Sequence, residues 1–284
     1  METIPEIMTA VLLTGHGGFD RLEYRTDVAV PRPGNGEVLI KVGAAGVNNT
    51  DINTRIGWYS KGVTTDTHEG AAHGFETAAR EDAGWSGVPL TFPRIQGCDC
   101  CGRILSVGEN VGEKRIGERV LVRPMLRTYA DYRPMECWFL GSECNGSFAQ
   151  YVKAPSKESY KVECDWTDAE LASIPCAYST AENLLLRAGL APAERVLITG
   201  ASGGVGSAAV QLAKRRGAEV LAVAGASKAE WVLALGADRV IPRGDSVLEA
   251  LGRNSVEVVV DLVAGPQWAD LIDILKRGGR YAVR

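Results

Sequence analysis

The stretch Gly200-Ala201-Ser202-Gly203-Gly204-Val205-Gly206 stands between an apolar run, Val196-Leu197-Ile198-Thr199, and an apolar helical face made of Val205, Ala208, Ala209, Leu212 and Ala213. A strand that enters a helix through glycines suits an anion. The glycines let the backbone approach a diphosphate closely, and the unpaired amides and positive dipole end of the helix bind it. Gly203, Gly204 and Gly206 are the expected contact positions, with Gly200 and Val205 completing the loop. A plain tight turn would also contain glycines, but it would lack the strand, helix and second strand at βαβ spacing that surround this one. No Lys-Ser or Lys-Thr pair ends the loop, which argues against a nucleotide triphosphatase. The segment predicts a dinucleotide site.

The following strand, Glu219–Val223, bears on which dinucleotide. A site for NAD usually ends this strand with an acid that accepts from the ribose hydroxyls. Here the strand runs on as Ala224-Gly225-Ala226-Ser227-Lys228, and the acid is missing. Ser227 and Lys228 offer a hydroxyl and a point charge to a 2′-phosphate, so NADPH is the expected cofactor and NADH the alternative. In a purely structural reading Ser227 caps the next helix and Lys228 is solvated.

These loops require a scaffold of alternating elements. From about Trp166 the chain reads as helix and strand in turn: a helix pair or broken helix over Asp168–Leu190, then strands at Arg195–Thr199, Glu219–Val223, Arg239–Pro242, Val256–Leu262 and Arg280–Val283. Such alternation means βαβ units and a parallel sheet. The first half instead alternates short apolar strands with glycine turns, at Thr9–Leu13, Glu37–Val42, Gly102–Val107 and Arg119–Val122, and predicts an irregular β-rich domain. Domains are expected over 1–165 and 166–284, with an insertion around 60–90. The polar, glycine-containing part of that insertion, Ser60–Ser86, reads as a surface excursion or lid and carries His68 and His73.

The totals set bounds. A 284-residue chain with 45% hydrophobic content can bury a packed core. A net charge of −4 supplies no electrostatic footprint for nucleic acid or an anionic membrane. No apolar run approaches the ~18 residues of a membrane span, and the first residues lack signal-peptide character, so a cytoplasmic protein is expected. The 7 cysteines lack regular spacing and read as free thiols.

Several blocks together resemble the medium-chain dehydrogenase/reductase superfamily, which contains zinc alcohol dehydrogenases and zinc-free quinone or enoyl reductases. They are Gly46-Val47-Asn48-Asn49-Thr50-Asp51, Gly97-Cys98-Asp99, Val107–Val111, Ile116–Val120, Ser147–Val152, Ile174–Ala181 and the glycine loop. The resemblance implies a GroES-like irregular β-barrel catalytic domain followed by a Rossmann doubly wound parallel sheet, with the active site in the cleft between them. Zinc alcohol dehydrogenases bind their metal through Cys, a His-Glu pair and a second Cys. The matching positions here hold Asn48, Cys98-Asp99 and Cys176. Asn48, Asp51, Arg55, Gly57 and Tyr59 resemble the quinone-reductase signature, in which asparagine replaces the metal-binding cysteine. Zinc is not expected, because asparagine is a poor ligand and the histidine is absent; the alternative is a site on Cys98, Asp99 and Cys176. Cys137 and Cys144 alone do not close a structural zinc site, and Cys100 and Cys101 read as core residues.

Hydride transfer leaves negative charge on the acceptor oxygen, so a metal-free site needs hydrogen-bond donors there. Asn48 and Tyr59 are the expected donors. Asp51 is expected to orient the asparagine or the nicotinamide ribose, or to cap a short helix, with Arg55 as its ion-pair partner four residues on. Thr180 matches the position that contacts the nicotinamide amide in relatives. His16, His68 and His73 fall in none of the matched blocks.

Relatives ordinarily continue past the strand at Arg280–Val283, whereas this sequence ends at Arg284. The resemblance thus implies a form lacking the last strand, which in many relatives is the dimer edge. Three readings follow. The first is a zinc-independent NADPH oxidoreductase acting on a small quinone, enone or related carbonyl. The second is a zinc-dependent alcohol dehydrogenase with an altered ligand set, and the third is a catalytically impaired nucleotide-binding form.

Overall fold

The computed structural model describes residues 3–65, 67, 69–78, 89–134 and 136–283. By its internal contacts the chain divides into two compact units, Met1–Cys176 and Ala177–Arg284.

Among the described residues the strands of the first unit are β1 (Ile7–Leu13), β2 (Leu22–Ala29), β3 (Glu37–Ala44), β4 (Arg94–Ile95), β5 (Cys101–Val107), β6 (Arg119–Val122), β7 (Met125–Leu126), β8 (Trp138–Phe139), β9 (Tyr151–Pro155) and β10 (Ser159–Lys161). The α-helices there are α1 (Asn49–Ile56) and α2 (Asp168–Ala172). Three strands pair as β2-β1-β4, five as β10-β6-β5-β3-β9 and two as β7-β8, all antiparallel. Val38 and Ile40 of β3 pack with Ile104, Val120, Val122 and Val152 from neighbouring strands, while Leu39 faces the other way onto Met8, Ala10 and Ile95. That alternation of one strand between two cores is what a half-barrel requires.

The boundary falls later than the change in texture at Trp166. Leu171 and Ala172 of α2 pack on Cys101 of β5, so this helix belongs with the barrel although its sequence reads as the start of the α/β region. Of the insertion, 66, 68 and 79–88 lie outside the described residues, and with them His68 and most of the segment read as a lid. The remainder of 60–78 is made of turns.

The second unit is a five-stranded parallel sheet. Its strands are β11 (Arg195–Ile198), β12 (Glu219–Ala224), β13 (Arg239–Pro242), β14 (Val256–Asp261) and β15 (Leu275–Val283), in the order β13-β12-β11-β14-β15. The helices are α3 (Pro175–Arg187), whose first turn contains the unit boundary, α4 (Gly204–Arg215), α5 (Ala229–Ala234), α6 (Val247–Leu251) and α7 (Trp268–Asp273). Val196 and Ile198 join a core with α3, α4 and Val232, whereas Leu197 joins Val247 and Leu271 on the opposite face. Both faces are covered, as a parallel sheet demands. Strand order reverses between β11 and β14, and in such sheets ligands bind outside the carboxyl ends of the strands at that switch point. Among the described residues, no helix is long and apolar enough to cross a membrane.

Candidate active site

In the first unit the residues matched to the family's metal-site positions converge. Asn48 is the N-cap of α1, and its backbone N–H donates to Asp51 Oδ2 at 2.9 Å. Asp51 Oδ1 accepts from the Gly97 and Cys98 amides, both at 3.2 Å. One carboxylate therefore starts the helix and ties it to the loop after β4. Arg55 is not its partner: the guanidinium donates instead to the carbonyls of Gly17 at 2.6 Å and Ala71 at 3.2 Å and lies over the Phe19 ring. The backbone amides already satisfy Asp51, and the buried arginine fastens two loops.

The Asn48 side chain turns inward. Its Nδ2 donates to Asp99 Oδ2 at 2.7 Å and contacts Cys98 Sγ at 3.5 Å. The other oxygen of Asp99 accepts the Cys176 peptide N–H at 2.7 Å. Cys98 and Cys176 pack together against Phe139, and the Cys176 thiol with burial holds the Cys98 thiol well above its ordinary range. Burial also pushes Asp51 and Asp99 up to about 6, against the hydrogen bonds that lower them.

The amide hydrogens of Asn48 point at Asp99 and Cys98, so in this arrangement the side chain belongs to an internal hydrogen-bond network. Tyr59 is half-buried and its hydroxyl donates to Thr50 Oγ1 at 3.1 Å. His16 Nδ1 lies 2.8 Å from the Thr54 carbonyl, and His73 is exposed.

The alternative ligand set can be tested on this geometry. A catalytic zinc needs three ligands whose lone pairs converge on one point. Both oxygens of Asp99 are directed at donors on different elements, and among the described residues no group of three or more His, Cys, Asp or Glu is arranged to hold a metal. Cys98, Asp99 and Cys176 as arranged do not fit the ion. Cys100 and Cys101 are fully buried in the barrel.

In the second unit, Gly200 has φ +60 and starts the turn out of β11. A Cβ on Gly206 would lie 2.2 Å from the Gly200 carbonyl oxygen, so only glycine lets α4 fold back onto the strand end. Gly203 and Gly204 differ: the nearest atoms to a Cβ there would be 3.4 Å and 3.8 Å away. Their identity is not required by the packing of the protein itself. Gly203 is the N-cap of α4, and no side chain caps it. Open glycines at an uncapped helix start fit a diphosphate. The Val205 side chain packs on the core, leaving its backbone to the loop.

Thr180 is half-buried on α3, the helix whose Ala177 Cβ is the near neighbour of Gly204. Ser227 and Lys228 are exposed in a short turn after β12. The N-cap of α5 is Lys228, and no side chain closes it, so Ser227 does not serve as that cap. Val263, which the sequence reading missed, is an exposed valine just after β14, its Cγ2 3.1 Å from where a Gly200 Cβ would be. The signal for this edge was Asp261, the acid that closes β14 after Val258-Val259-Val260.

The Alcohol dehydrogenase GroES-like domain model matches residues 34–164, and the Zinc-binding dehydrogenase model matches 204–284. The chain is 30% identical over 290 residues to quinone oxidoreductase of Homo sapiens, covering 100% of this chain and 74% of that protein. It is also 30% identical over 282 residues to acryloyl-coenzyme A reductase of Metallosphaera sedula, covering 96% and 75%. Among solved structures, a protein provisionally assigned as an alcohol dehydrogenase from Sinorhizobium meliloti 1021 superposes with a TM-score of 0.84 at 44% identity, covering 99% of this chain and 76% of that one. With a GroES-like domain preceding a Rossmann sheet and relatives of this kind along its whole length, the chain belongs to the medium-chain dehydrogenase/reductase superfamily and is an NAD(P)-dependent oxidoreductase.

Proposed function

We propose that the protein is an NADPH-dependent reductase of a quinone, enone or related conjugated carbonyl, working without zinc. The observation that carries this reading is the commitment of Asp99. One oxygen holds the Asn48 amide and the other the Cys176 peptide, so the position where relatives assemble a metal is filled by a closed hydrogen-bond network. The names of the quinone oxidoreductase and acryloyl-coenzyme A reductase relatives support the substrate class.

When bound, the reduced nicotinamide supplies a hydride. The chain's own groups do the rest. The amides of Gly203, Gly204, Val205 and Gly206 receive the diphosphate, with Gly200 setting the turn, and Thr180 meets the nicotinamide end. Ser227 and Lys228 take the 2′-phosphate as an exposed hydroxyl and cation. The Tyr59 hydroxyl leaves Thr50 to donate to the oxygen on which charge develops. Asp51 holds α1, which carries Thr50, to the loop at Gly97 and Cys98.

The test is NADPH consumption with a quinone and an enone after exhaustive treatment with a chelator. The expected result is an unchanged rate with either acceptor; loss of turnover, restored by added zinc, contradicts the reading. Zinc-dependent alcohol oxidation is the competing reading, and it would need Asp99 to give up both donors so that it could share an ion with Cys98 and Cys176. It requires that Cys98→Ser and Cys176→Ser each abolish metal-dependent turnover.

A further inference from the structure

Asp261 closes β14 and is fully buried, yet it makes no ion pair among the described residues. Hydrogen bonds surround it instead. The Thr199 hydroxyl donates to its Oδ1 at 2.5 Å, and the Val263 and Ala264 amides donate to the same oxygen, both at 3.1 Å. The Tyr281 hydroxyl donates to Oδ2, and the Trp268 indole N–H donates to the Tyr281 oxygen at 2.5 Å. Thr199 is fixed in turn, because its oxygen accepts the Leu262 amide at 2.9 Å. Burial raises the carboxyl, but these donors outweigh it and leave Asp261 below its ordinary range.

What the carboxylate holds is a turn the chain would not otherwise prefer. Ala264 has φ +58 and Gly265 φ +105, so a non-glycine residue is kept in the left-handed region immediately beyond the acid. Two successive amides bound to one oxygen fix that turn. It places Val263, 56% exposed, against Gly200 at the point where the strand order reverses. Thr199 and Asp261 thus tie the ends of β11 and β14 together, and these are the two strand ends that flank the switch-point crevice.

We propose that Asp261 is a positioning residue for the dinucleotide: it holds 262–265 in the turn that sets Val263 beside Gly200, and it governs nucleotide affinity without touching the nucleotide. Because the turn borders the glycine loop and not Ser227 or Lys228, its loss affects NADPH and NADH alike. The inference rests on the glycine loop being the dinucleotide site.

The experiment is a fluorescence titration of NADPH and NADH into wild type, Asp261→Ala, Asp261→Asn and Tyr281→Phe, well below each protein's unfolding temperature. Hydrogen exchange at the Val263 and Ala264 amides is followed in the nucleotide-free proteins. Asp261→Ala is expected to raise both Kd values about tenfold and to speed exchange at the two amides, as loss of a charge-assisted acceptor predicts. Asp261→Asn keeps one carbonyl oxygen for those amides and recovers most of the affinity. A purely structural acid would lower the melting temperature while leaving the Kd of the folded protein alone, so unchanged Kd values in folded Asp261→Ala overturn the proposal. If that variant does not fold, Tyr281→Phe decides: an increase of about threefold in both Kd values supports the proposal, and no change overturns it. Wild type that binds neither nucleotide would overturn the reading of the glycine loop itself.

Discussion

The side-chain amide of Asn48 donates to Asp99 Oδ2 at 2.7 Å, across 51 residues of sequence, from the position that the sequence resemblance matches to a metal-binding cysteine. A ligand replaced by an amide leaves its neighbours needing a new partner. Asp99 supplies it, and through its second oxygen the same carboxylate reaches the start of α3 at Cys176.

Removing that carboxylate should be costly. Asp99→Ala removes the partner of the part-buried Asn48 amide and strands the buried Cys176 N–H, and is expected to lower the unfolding free energy by about 2–4 kcal/mol. Urea denaturation of both proteins measures it. A difference within about 0.5 kcal/mol, the range of a surface change, would show that the network is not structural.

The buried acids make a pH prediction. Asp51 and Asp99 are raised from an ordinary value of 3.8 to about 6, chiefly by burial, so the folded protein binds their protons more tightly than the unfolded chain. Their contribution is most favourable below 3.8 and is lost as pH rises through about 6. Each shift corresponds to about 3 kcal/mol at most. Over pH 4 to 6, stability of wild type should therefore fall relative to that of Asp51→Asn, as read from urea midpoints at each pH. Parallel curves, or a gap changing in the opposite sense, would refute the assignment.

The glycine loop allows two glycines to be separated by role. Gly206→Ala forces a Cβ against the Gly200 carbonyl and should destabilise the fold by about 1–3 kcal/mol. Gly204→Ala meets only the Ala177 methyl at 3.8 Å, so the melting temperature should stay near that of wild type while nucleotide affinity drops. Calorimetry and a binding titration on both variants distinguish them. Equal loss of stability would mean that both glycines serve packing alone.

Cofactor choice is tested at the end of β12. Lys228→Ala is expected to weaken NADPH about tenfold and to leave NADH unchanged, because only the former carries the 2′-phosphate. Gly225→Asp restores the missing acid at a position where a Cβ meets nothing within 4 Å, and should shift the preference toward NADH. Equal weakening of both nucleotides by Lys228→Ala would remove that residue from the phosphate site.

Parts of this architecture were legible in the sequence for physical reasons. β6 is a short apolar strand between turns, and its ends coincide with the expected Arg119–Val122. β2 was not read, because its eight residues are exposed except for part-buried Leu22 and Val28, leaving no alternation to detect. β15 begins at Leu275, well before the expected Arg280, since Gly278-Gly279 looks like a loop yet lies within the paired strand. The glycine loop between β11 and α4 follows from local spacing. The Asn48–Asp99–Cys176 network does not, because its contacts span 51 and 77 residues and depend on how the barrel closes. Asn48 stands out in the sequence by its place in a motif, but the direction of its amide depends on the fold.

In the proposed reductase the hydrogen-bond network of Asn48, Cys98, Asp99 and Cys176 stands in place of a metal. Elemental analysis of the intact protein, purified without chelator and assayed in the same preparation for NADPH-dependent quinone reduction, tests it most directly. The expected result is an active preparation with far less than one zinc per chain; one tightly held zinc per chain, whose removal abolishes turnover, rules out the zinc-free reading.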